Sequence, residues 1–240
     1  MPAADPIIYL KKSLKSLWNQ PKLNTLSSII RHYPAWREHL QPGKNSVDGR
    51  TPWMSFSAIE MLKKIARPDM RVFEYGSGGS TMFWLSRVQE VISVEHDLTW
   101  FMNMKNKLSL ESRQNVKYIL AEPLPDPAFP VKQFENPDDF ISGDPAYTGK
   151  NFENYARSID PYQNEYFDII IVDGRARPSC IQQSLPKLKR NGWLVIDNTE
   201  RKYYTAPFSF DRKSWKISTF AGPVPYMRDF SETTILKKLI

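Results

Sequence analysis

The sequence has a single cysteine and no long apolar run. Because Cys180 is the only cysteine among the 240 residues, the chain cannot form an internal disulfide and has no Cys-x-x-Cys motif. No apolar run approaches the roughly 18 residues that a membrane-spanning helix needs. The N-terminal residues also lack the long apolar segment and the small-residue cleavage site of a secretory signal. We therefore expect a reduced, cytoplasmic protein.

Positive charge is concentrated near the N-terminus. The net charge is +7, and residues 1–50 carry eight lysines and arginines against three acidic residues. Residues 51–240 are nearly balanced, with 25 basic and 23 acidic residues. A basic extension can contact an anionic surface, or it can simply be a solvated helix face. We do not expect a nucleic-acid partner, and the oligomeric state stays open.

The length and composition fit one core-forming α/β domain with an extension. Hydrophobic residues make up 41% of the chain, and the mean hydropathy is −0.50. A loop at residues 41–46 is the candidate boundary, so we predict a basic helical extension over 1–50 and the main domain over 51–240. Residues 123–145 carry six prolines, and we predict an insertion or lid over 123–165.

The extension contains two predicted helices. The first runs from Pro6 to Trp18, and the second runs from Leu23 to His32 and ends near Pro34. The first helix either lies on a membrane surface or packs on the domain, and its short stripe and few charges favour packing. Its apolar residues recur on one stripe: Ile7, Leu10, Leu14, Leu17 and Trp18.

The central motif is a strand that ends in a glycine-rich turn and continues into a helix. Val72 and Phe73 favour a strand, and Ser80 or Thr81 can cap the following helix. Glycines in such a turn let the backbone approach a nucleotide-like ligand closely. The turn comprises Glu74, Tyr75, Gly76, Ser77, Gly78, Gly79 and Ser80.

Acidic residues recur where the predicted strands end. Further strands are predicted over 91–97, 116–122, 167–173, 193–198, 215–220 and 233–236, and helices between them indicate βαβ units. Ligands of such sheets bind at the carboxyl ends of the strands, although loops are polar for other reasons too. The polar strand ends are Glu74, Glu95, Glu122, Asp173 and Asp197-Asn198.

The motifs Phe-Glu-Tyr-Gly-Ser-Gly-Gly-Ser-Thr, Ser-Val-Glu-His-Asp and Val-Asp-Gly-Arg-Ala-Arg resemble those of the class I S-adenosylmethionine-dependent methyltransferases, over residues 55–240. The resemblance implies a Rossmann-like, doubly wound, seven-stranded, mostly parallel sheet whose last strand, near 233–236, is antiparallel. It implies that Glu74 faces the cationic amino group of S-adenosylmethionine and that Glu95 binds the ribose hydroxyls. His96, Glu122 or the backbone near Ala121 would lie beside the adenine.

The reaction position of this family corresponds to Asp173-Gly174-Arg175-Ala176-Arg177. Asp173 is the candidate base, and Arg175 or Arg177 is the candidate clamp for an anionic group. The alternative is that Asp173 caps a helix and the arginines pair with surface acids. We expect Arg175 to lie between Asp173 and Asp197.

Asp173 with Asp197-Asn198 also resembles the Mg²⁺ triad of catechol-type O-methyltransferases. Their lysine, three residues after the first acid, is replaced here by Ala176, so we do not favour a metal.

The resemblance predicts methyl transfer to an oxygen of a small-molecule or glycan-like acceptor. Two alternatives stay open: a metal-dependent catechol-type enzyme, and a non-catalytic nucleotide-binding or scaffold protein with the same fold. Glu74 and Thr81 argue against an NAD(P)-linked oxidoreductase, whose fingerprint needs glycine at the position of Thr81.

Overall fold

The structure is a computed structural model that describes residues 5–240, so the first four residues of the predicted extension lie outside it. Its helices are α1 (Asp5–Asn19), α2 (Leu23–His39), α3 (Phe56–Ile65), α4 (Gly79–Leu85), α5 (Leu98–Ser109), α6 (Glu153–Ala156) and α7 (Arg177–Lys187). Its strands are β1 (Arg71–Tyr75), β2 (Glu90–Glu95), β3 (Val116–Leu120), β4 (Leu124–Pro125), β5 (Lys150–Asn151), β6 (Phe167–Val172), β7 (Leu188–Ile196), β8 (Trp215–Pro223) and β9 (Phe230–Lys238).

Seven strands form one sheet in the order β3-β2-β1-β6-β7-β9-β8. The pairs β3-β2, β2-β1, β1-β6 and β6-β7 are parallel, and β9 is antiparallel to both of its neighbours. The predicted fold is therefore confirmed. The segment 233–236 lies inside β9, which is the antiparallel strand.

The central strands are apolar because both faces of the sheet are covered. Alternate residues point to opposite faces, so Phe73 and Ile170 pack toward α6 and α7, whereas Val72 and Ile171 pack toward α3 and α4. All four of these side chains are fully buried. Because β2, β1, β6 and β7 run parallel to one another, their polar carboxyl ends lie together at one edge of the sheet.

The predicted insertion is an ordered part of the domain. Its strands β4 and β5 form a small antiparallel ladder, and Phe152, Tyr155 and Ile159 are fully buried in the main core. Its role as a lid stays a prediction.

Two details of the extension differ from the sequence prediction. Pro34 does not end the second helix: α2 continues to His39, with Pro34 inside it. A proline within a helix removes a hydrogen bond, but Trp36, which follows it, is fully buried and donates through Nε1 to the Met227 carbonyl at 2.8 Å. Tertiary packing beyond the proline therefore outweighs the local cost.

Most of the apolar stripe of α1 faces away from the domain, contrary to the expectation that the helix packs through it, and only Leu17 of its five residues packs on the buried cluster of Tyr9 and Trp36. The helix does pack, but through the opposite face, where Asp5, Tyr9 and Ser13 are buried. Tyr9 packs against Trp36 and Phe230, with ring centroids 4.7 and 5.0 Å apart. None of the helices among residues 5–240 is long and apolar enough to cross a membrane.

The loop before α3 packs directly on the start of α4. A Cβ atom on Gly79 would lie 2.4 Å from the Ser46 carbonyl oxygen and 2.3 Å from that of Thr51. Such contacts are too short for any side chain. Glycine at position 79 is thus required by the packing of the 46–51 loop.

We expect Gly79→Ala to lower the free energy of unfolding by about 1–3 kcal/mol, because two backbone carbonyls would have to move. The matched control is Gly78→Ala, whose Cβ would meet only Trp100, at 3.8 Å, and which should change stability by less than about 0.5 kcal/mol. Urea unfolding of both variants tests this. Equal stability of the two would show that the 46–51 loop is not closely packed on α4.

Candidate functional site

A cavity of about 920 Å³ lies at the carboxyl ends of β1, β2, β6 and β7. The glycine turn forms one wall, and α5, the insertion and the β8–β9 connection complete it. The predicted site residues that line it are Gly76, Ser77, Gly78, Gly79, Ser80, Glu95, His96, Asp173 and Arg175.

The glycine turn is shaped by two different constraints. Gly76 has a φ of +91°, and a Cβ there would lie 2.8 Å from the Asp173 carbonyl oxygen, so glycine is needed for both conformation and space. Gly78 instead borders open space, with only the Trp100 ring nearby. Trp100 donates from Nε1 to the Ser77 carbonyl at 2.9 Å. The open face at Gly78 is therefore where a ligand can approach the backbone.

The Glu95 carboxylate links the end of β2 to this turn. Its Oε2 accepts from the Ser77 N–H at 3.1 Å and from the Ser77 hydroxyl at 2.8 Å. Its Oε1 accepts from the main-chain N–H groups of His96 and Asp97, at 2.8 and 3.0 Å. Burial raises the pKa of Glu95, but the His96 side chain, whose Nδ1 lies 2.8 Å from Oε1, and the main-chain N–H groups outweigh it and hold the pKa below its ordinary value. Glu95 is thus a fixed anion in the cavity wall.

Tyr147, which belongs to the insertion, closes the cavity beside His96. The His96 Nε2 lies 2.8 Å from the Tyr147 hydroxyl, and the two rings meet edge to face. Sequence reasoning missed Tyr147 because its contact with His96 spans 51 residues. It also missed Trp100, although an aromatic residue shortly after an acidic strand end is a usable signal.

Tyr75 and Glu122, predicted near the cofactor, do not reach the cavity. Tyr75 is fully buried in the core, where its hydroxyl donates to the Ala156 carbonyl at 2.6 Å. Glu122 is exposed beyond the end of β3. Strand alternation turns Tyr75 to the opposite side of the sheet, and β3 ends before Glu122 can point inward.

Glu74 also lies behind the cavity wall rather than in it. Its Oε2 accepts from the hydroxyls of Thr81 and Ser93, at 2.6 and 2.9 Å. Burial raises the pKa of Glu74 to about 7, while hydroxyl groups around it act in the opposite direction. Glu74 therefore supports the glycine turn from within and is not among the residues that line the cavity.

A buried arginine lies between the ends of β6 and β7, and it is Arg177 rather than the predicted Arg175. Its guanidinium donates to the Asp173 carboxylate at 3.1 Å and to the main-chain carbonyl of Asp197. Arg177 opens α7, so its side chain turns back toward the sheet. The sequence analysis expected an arginine between Asp173 and Asp197, and the structure has one there, but it is Arg177 and not Arg175.

The two carboxyl groups beside Arg177 differ in environment. Asp173 retains 20% side-chain exposure, and burial raises its pKa to about 6, opposed by Arg177. Asp197 is almost fully buried and accepts from the Thr233 hydroxyl at 2.6 Å. Burial, followed by the charge of Asp173, raises the pKa of Asp197 well above its ordinary value. Both residues border the cavity, and Asp173 has the more exposed carboxyl group of the two.

Arg175 points toward the insertion. Its guanidinium lies 3.1 Å from the Asp144 carboxylate and over the Tyr147 ring, 5.4 Å from the ring centre. Its Nε is buried without a hydrogen-bond partner, so Arg175 has donor capacity that the contacts with Asp144 and Tyr147 do not use.

A second cavity of about 510 Å³ adjoins the first. Gly174, Arg175, Arg177 and Arg201 line both. Phe134 and Tyr203 form its aromatic wall, with ring centroids 5.0 Å apart. The insertion therefore builds a separate, arginine-rich compartment next to the glycine turn.

The triad of Asp173 with Asp197-Asn198, which resembles a Mg²⁺ site but was not the favoured interpretation, does not fit a divalent cation as it stands. The Asp173 carboxylate is paired with Arg177, and the Asp197 carboxyl is turned to Thr233. Among residues 5–240 no group of three or more His, Cys, Asp or Glu side chains is arranged to hold a metal ion.

The fold resembles solved methyltransferase structures. No protein-family model matches the sequence, and no curated protein matches it. A putative rRNA methylase from Clostridium thermocellum aligns at 13% identity and a TM-score of 0.51, over 77% of this chain and 94% of that one. A putative O-methyltransferase from Klebsiella pneumoniae aligns at 14% identity and a TM-score of 0.50, over 89% and 90%. A methyltransferase from Geobacter sulfurreducens aligns at 14% and 0.50, over 88% and 96%. At these identities the comparisons show a shared methyltransferase fold.

We expect Glu74→Gln to remove a pH dependence of stability. Because the folded-state pKa of Glu74, about 7, lies above its ordinary 4.5, its stabilisation is complete below pH 4.5 and is lost as the pH rises through 7. The free energy of unfolding of the wild type should therefore fall relative to Glu74→Gln by roughly 2–3 kcal/mol across this range.

Urea unfolding at pH 5 and pH 8 measures this difference. Glu122→Gln is the matched control, because Glu122 is exposed and its substitution should leave the wild-type pH dependence unchanged. A constant difference between wild type and Glu74→Gln would mean that Glu74 does not titrate in this range.

Proposed function

We propose that this protein is an S-adenosylmethionine-dependent methyltransferase that acts on an oxygen atom of a small-molecule or glycan-like acceptor. The observation that carries the proposal is the pairing of the open glycine face at Gly78 with the Glu95 carboxylate in one cavity of a methyltransferase fold. A glycine turn without the acid would suit many ligands. The acid selects a ligand with hydroxyl groups, such as a ribose.

The residues of the larger cavity fit this cofactor. Gly78 leaves room for the ligand against the backbone, and Glu95 is a carboxylate with depressed pKa that can accept from both ribose hydroxyls. The Ser77 hydroxyl donates to Glu95 and also lies 2.7 Å from the Tyr118 hydroxyl. When a ligand hydroxyl takes the place of Ser77 on Glu95, the Ser77 hydroxyl therefore still has Tyr118 as a partner. The rings of Trp100 and His96 line the same cavity and can contact the adenine ring. When bound, S-adenosylmethionine supplies an electrophilic methyl group.

The second cavity is the candidate acceptor compartment. Arg175 and Arg201 bring positive charge to it, and Phe134 and Tyr203 supply flat apolar walls. Asp144 is paired with Arg175. This combination favours an acceptor with a ring and an anionic or strongly polar substituent. A volume of about 510 Å³ suits a small molecule.

Asp173 is the candidate base, with Arg177 as its positioning residue. A hydroxyl acceptor loses a proton as it attacks, and a carboxylate with a pKa of about 6 is ionised at neutral pH yet basic enough to take part. The Arg177 guanidinium fixes the carboxylate in place from the side away from solvent. Arg175 contributes to acceptor binding in this proposal, and no metal is needed.

We expect Glu95→Ala to weaken S-adenosylhomocysteine binding by a few kcal/mol, because charge-assisted hydrogen bonds are worth roughly 1.5–3 kcal/mol each. Gly78→Val should abolish binding by filling the open face. Titration calorimetry measures both, and NAD is the comparison ligand, for which we expect no binding.

Glu122→Ala is the matched control, because it removes an exposed acid from a neighbouring strand end and should bind like wild type. Glu95→Gln keeps the shape of the side chain and guards against misfolding of the alanine variant. Unchanged affinity in a folded Glu95 variant, or binding to Gly78→Val, would refute the assignment of the cofactor site.

We expect methyl transfer to rise with pH through about 6, as Asp173 loses its proton, and to be lost in Asp173→Asn. Activity should survive EDTA, and Arg175→Ala should raise KM for the acceptor more than it lowers kcat. S-adenosylhomocysteine release, measured on a panel of hydroxylated ring acids and glycans, provides the assay.

Three results would change this interpretation. Activity lost with EDTA and restored by Mg²⁺ would replace it with the catechol-type mechanism. Full activity of Asp173→Asn would remove Asp173 from the chemistry. Tight cofactor binding without turnover on any acceptor would favour the non-catalytic alternative.

A further inference from the structure

The first helix is oriented with its polar side toward the protein. Asp5, Tyr9 and Ser13 recur every four residues and are buried. The opposite side carries large apolar residues that are exposed: Ile7 59%, Leu10 60%, Leu14 61% and Trp18 87%. An amphipathic helix on a soluble domain normally buries its apolar stripe, so this orientation is the reverse of the usual one.

The second helix also leaves large apolar residues exposed. Its inner side buries Thr25, Ser28 and His32 together with Ile29 and Trp36, whereas Leu23 is 85%, Leu26 40% and Ile30 67% exposed. We call the two stripes together the outer apolar face. It comprises Ile7, Leu10, Leu14, Trp18, Leu23, Leu26 and Ile30.

Specific hydrogen bonds and ion pairs hold α1 and α2 in this orientation. The Tyr9 hydroxyl donates to the Ile29 carbonyl at 2.6 Å and joins the two helices. The Arg228 guanidinium donates to the Asp5 carboxylate at 2.7 Å, and Lys12 pairs with Asp229. Rotating either helix to bury its apolar stripe would break these contacts, so the outer apolar face stays exposed in the folded protein.

Positive charge borders this face. Lys11, Lys15 and Lys22 are exposed, and none of them forms an ion pair with a described residue. The acids of α1 and α2 cannot neutralise them, because Asp5 is buried with Arg228 and Glu38 pairs with Lys44. The surface therefore combines exposed apolar side chains with unneutralised lysines.

We propose that the outer apolar face binds the surface of an anionic lipid bilayer. Apolar side chains and a tryptophan enter the boundary between headgroups and acyl chains, and lysines beside them attract anionic headgroups. The lysines argue against a second copy as the occupant, because two such faces would bring like charges together. This proposal is independent of the proposed enzymatic activity.

Bilayer binding would also bring the larger cavity close to the membrane. The β8–β9 connection that receives α1 and α2 contributes Met227 and Asp229 to the cavity wall. The contacts of Trp36 with Met227 and of Lys12 with Asp229 join the bilayer-facing helices to that wall.

The test is co-sedimentation of the full chain with vesicles of phosphatidylcholine, with and without phosphatidylserine. We expect salt-sensitive binding only to the phosphatidylserine vesicles. The double variants Leu14→Ser/Trp18→Ser and Lys11→Glu/Lys15→Glu should each reduce binding by about tenfold or more. The matched controls Leu110→Ser/Val131→Ser and Lys213→Glu/Lys216→Glu alter exposed residues outside the face and should bind like wild type.

Two further measurements make the outcome unambiguous. Brominated lipids should quench the fluorescence of Trp18, and this quenching should be lost in Trp18→Phe. Light scattering should show a monomer for wild type in the absence of lipid. No binding to phosphatidylserine vesicles, equal loss in the control variants, or a dimer that the face variants dissociate would each overturn the proposal.

Discussion

The ion pair between Arg177 and Asp173 is the constraint on which the site depends. A buried guanidinium is costly unless its charge and its hydrogen-bond donors are matched. Here Asp173 supplies the charge, and the carbonyl groups of Gly174 and Asp197 accept from two more of the guanidinium nitrogens, so that each nitrogen has a partner. These three acceptors come from the ends of β6 and β7, so Arg177 joins the two strand ends into one rigid wall between the two cavities.

Hydrogen bonding decides which acids at the sheet edge are charged. Glu95 and Glu74 are both buried at neighbouring strand ends, yet the pKa of Glu95 is lowered and that of Glu74 is raised. Glu95 accepts from main-chain N–H groups and lies near His96, whereas Glu74 accepts only from hydroxyls behind the turn. At neutral pH the sheet thus presents an ionised Glu95 carboxylate to the larger cavity and keeps a carboxyl group that is only partly ionised, Glu74, in its interior.

The extension is part of the architecture of the cavity as well as a separate surface. The 46–51 loop packs on Gly79, and α2 reaches the β8–β9 connection through Trp36. Both contacts lie next to the glycine turn or the cavity wall. Because polar and aromatic residues supply most of this packing, with Ile29 and Leu17 beside them, most of the aliphatic side chains of α1 and α2 remain on the outside.

The sequence by itself determined the sheet, its one antiparallel strand and the position of the cavity. Runs such as 167–172 are apolar because both sheet faces are covered, and the glycine turn follows a strand wherever this motif occurs. Gly78, Glu95 and Asp173 could be predicted as cavity residues for the same reason. Each lies at or shortly after the end of a strand, and the ends of strands can be located from the sequence. Only the tertiary structure decided where each side chain points. Glu74 and Tyr75 point away from the cavity, and Arg177 rather than Arg175 binds Asp173 and the Asp197 carbonyl. Helix α2 continues past Pro34, and most of the apolar stripe of α1 faces outward. Each of these outcomes depends on contacts between residues distant in sequence, such as Tyr9 with Phe230, and a local pattern contains no information about those contacts.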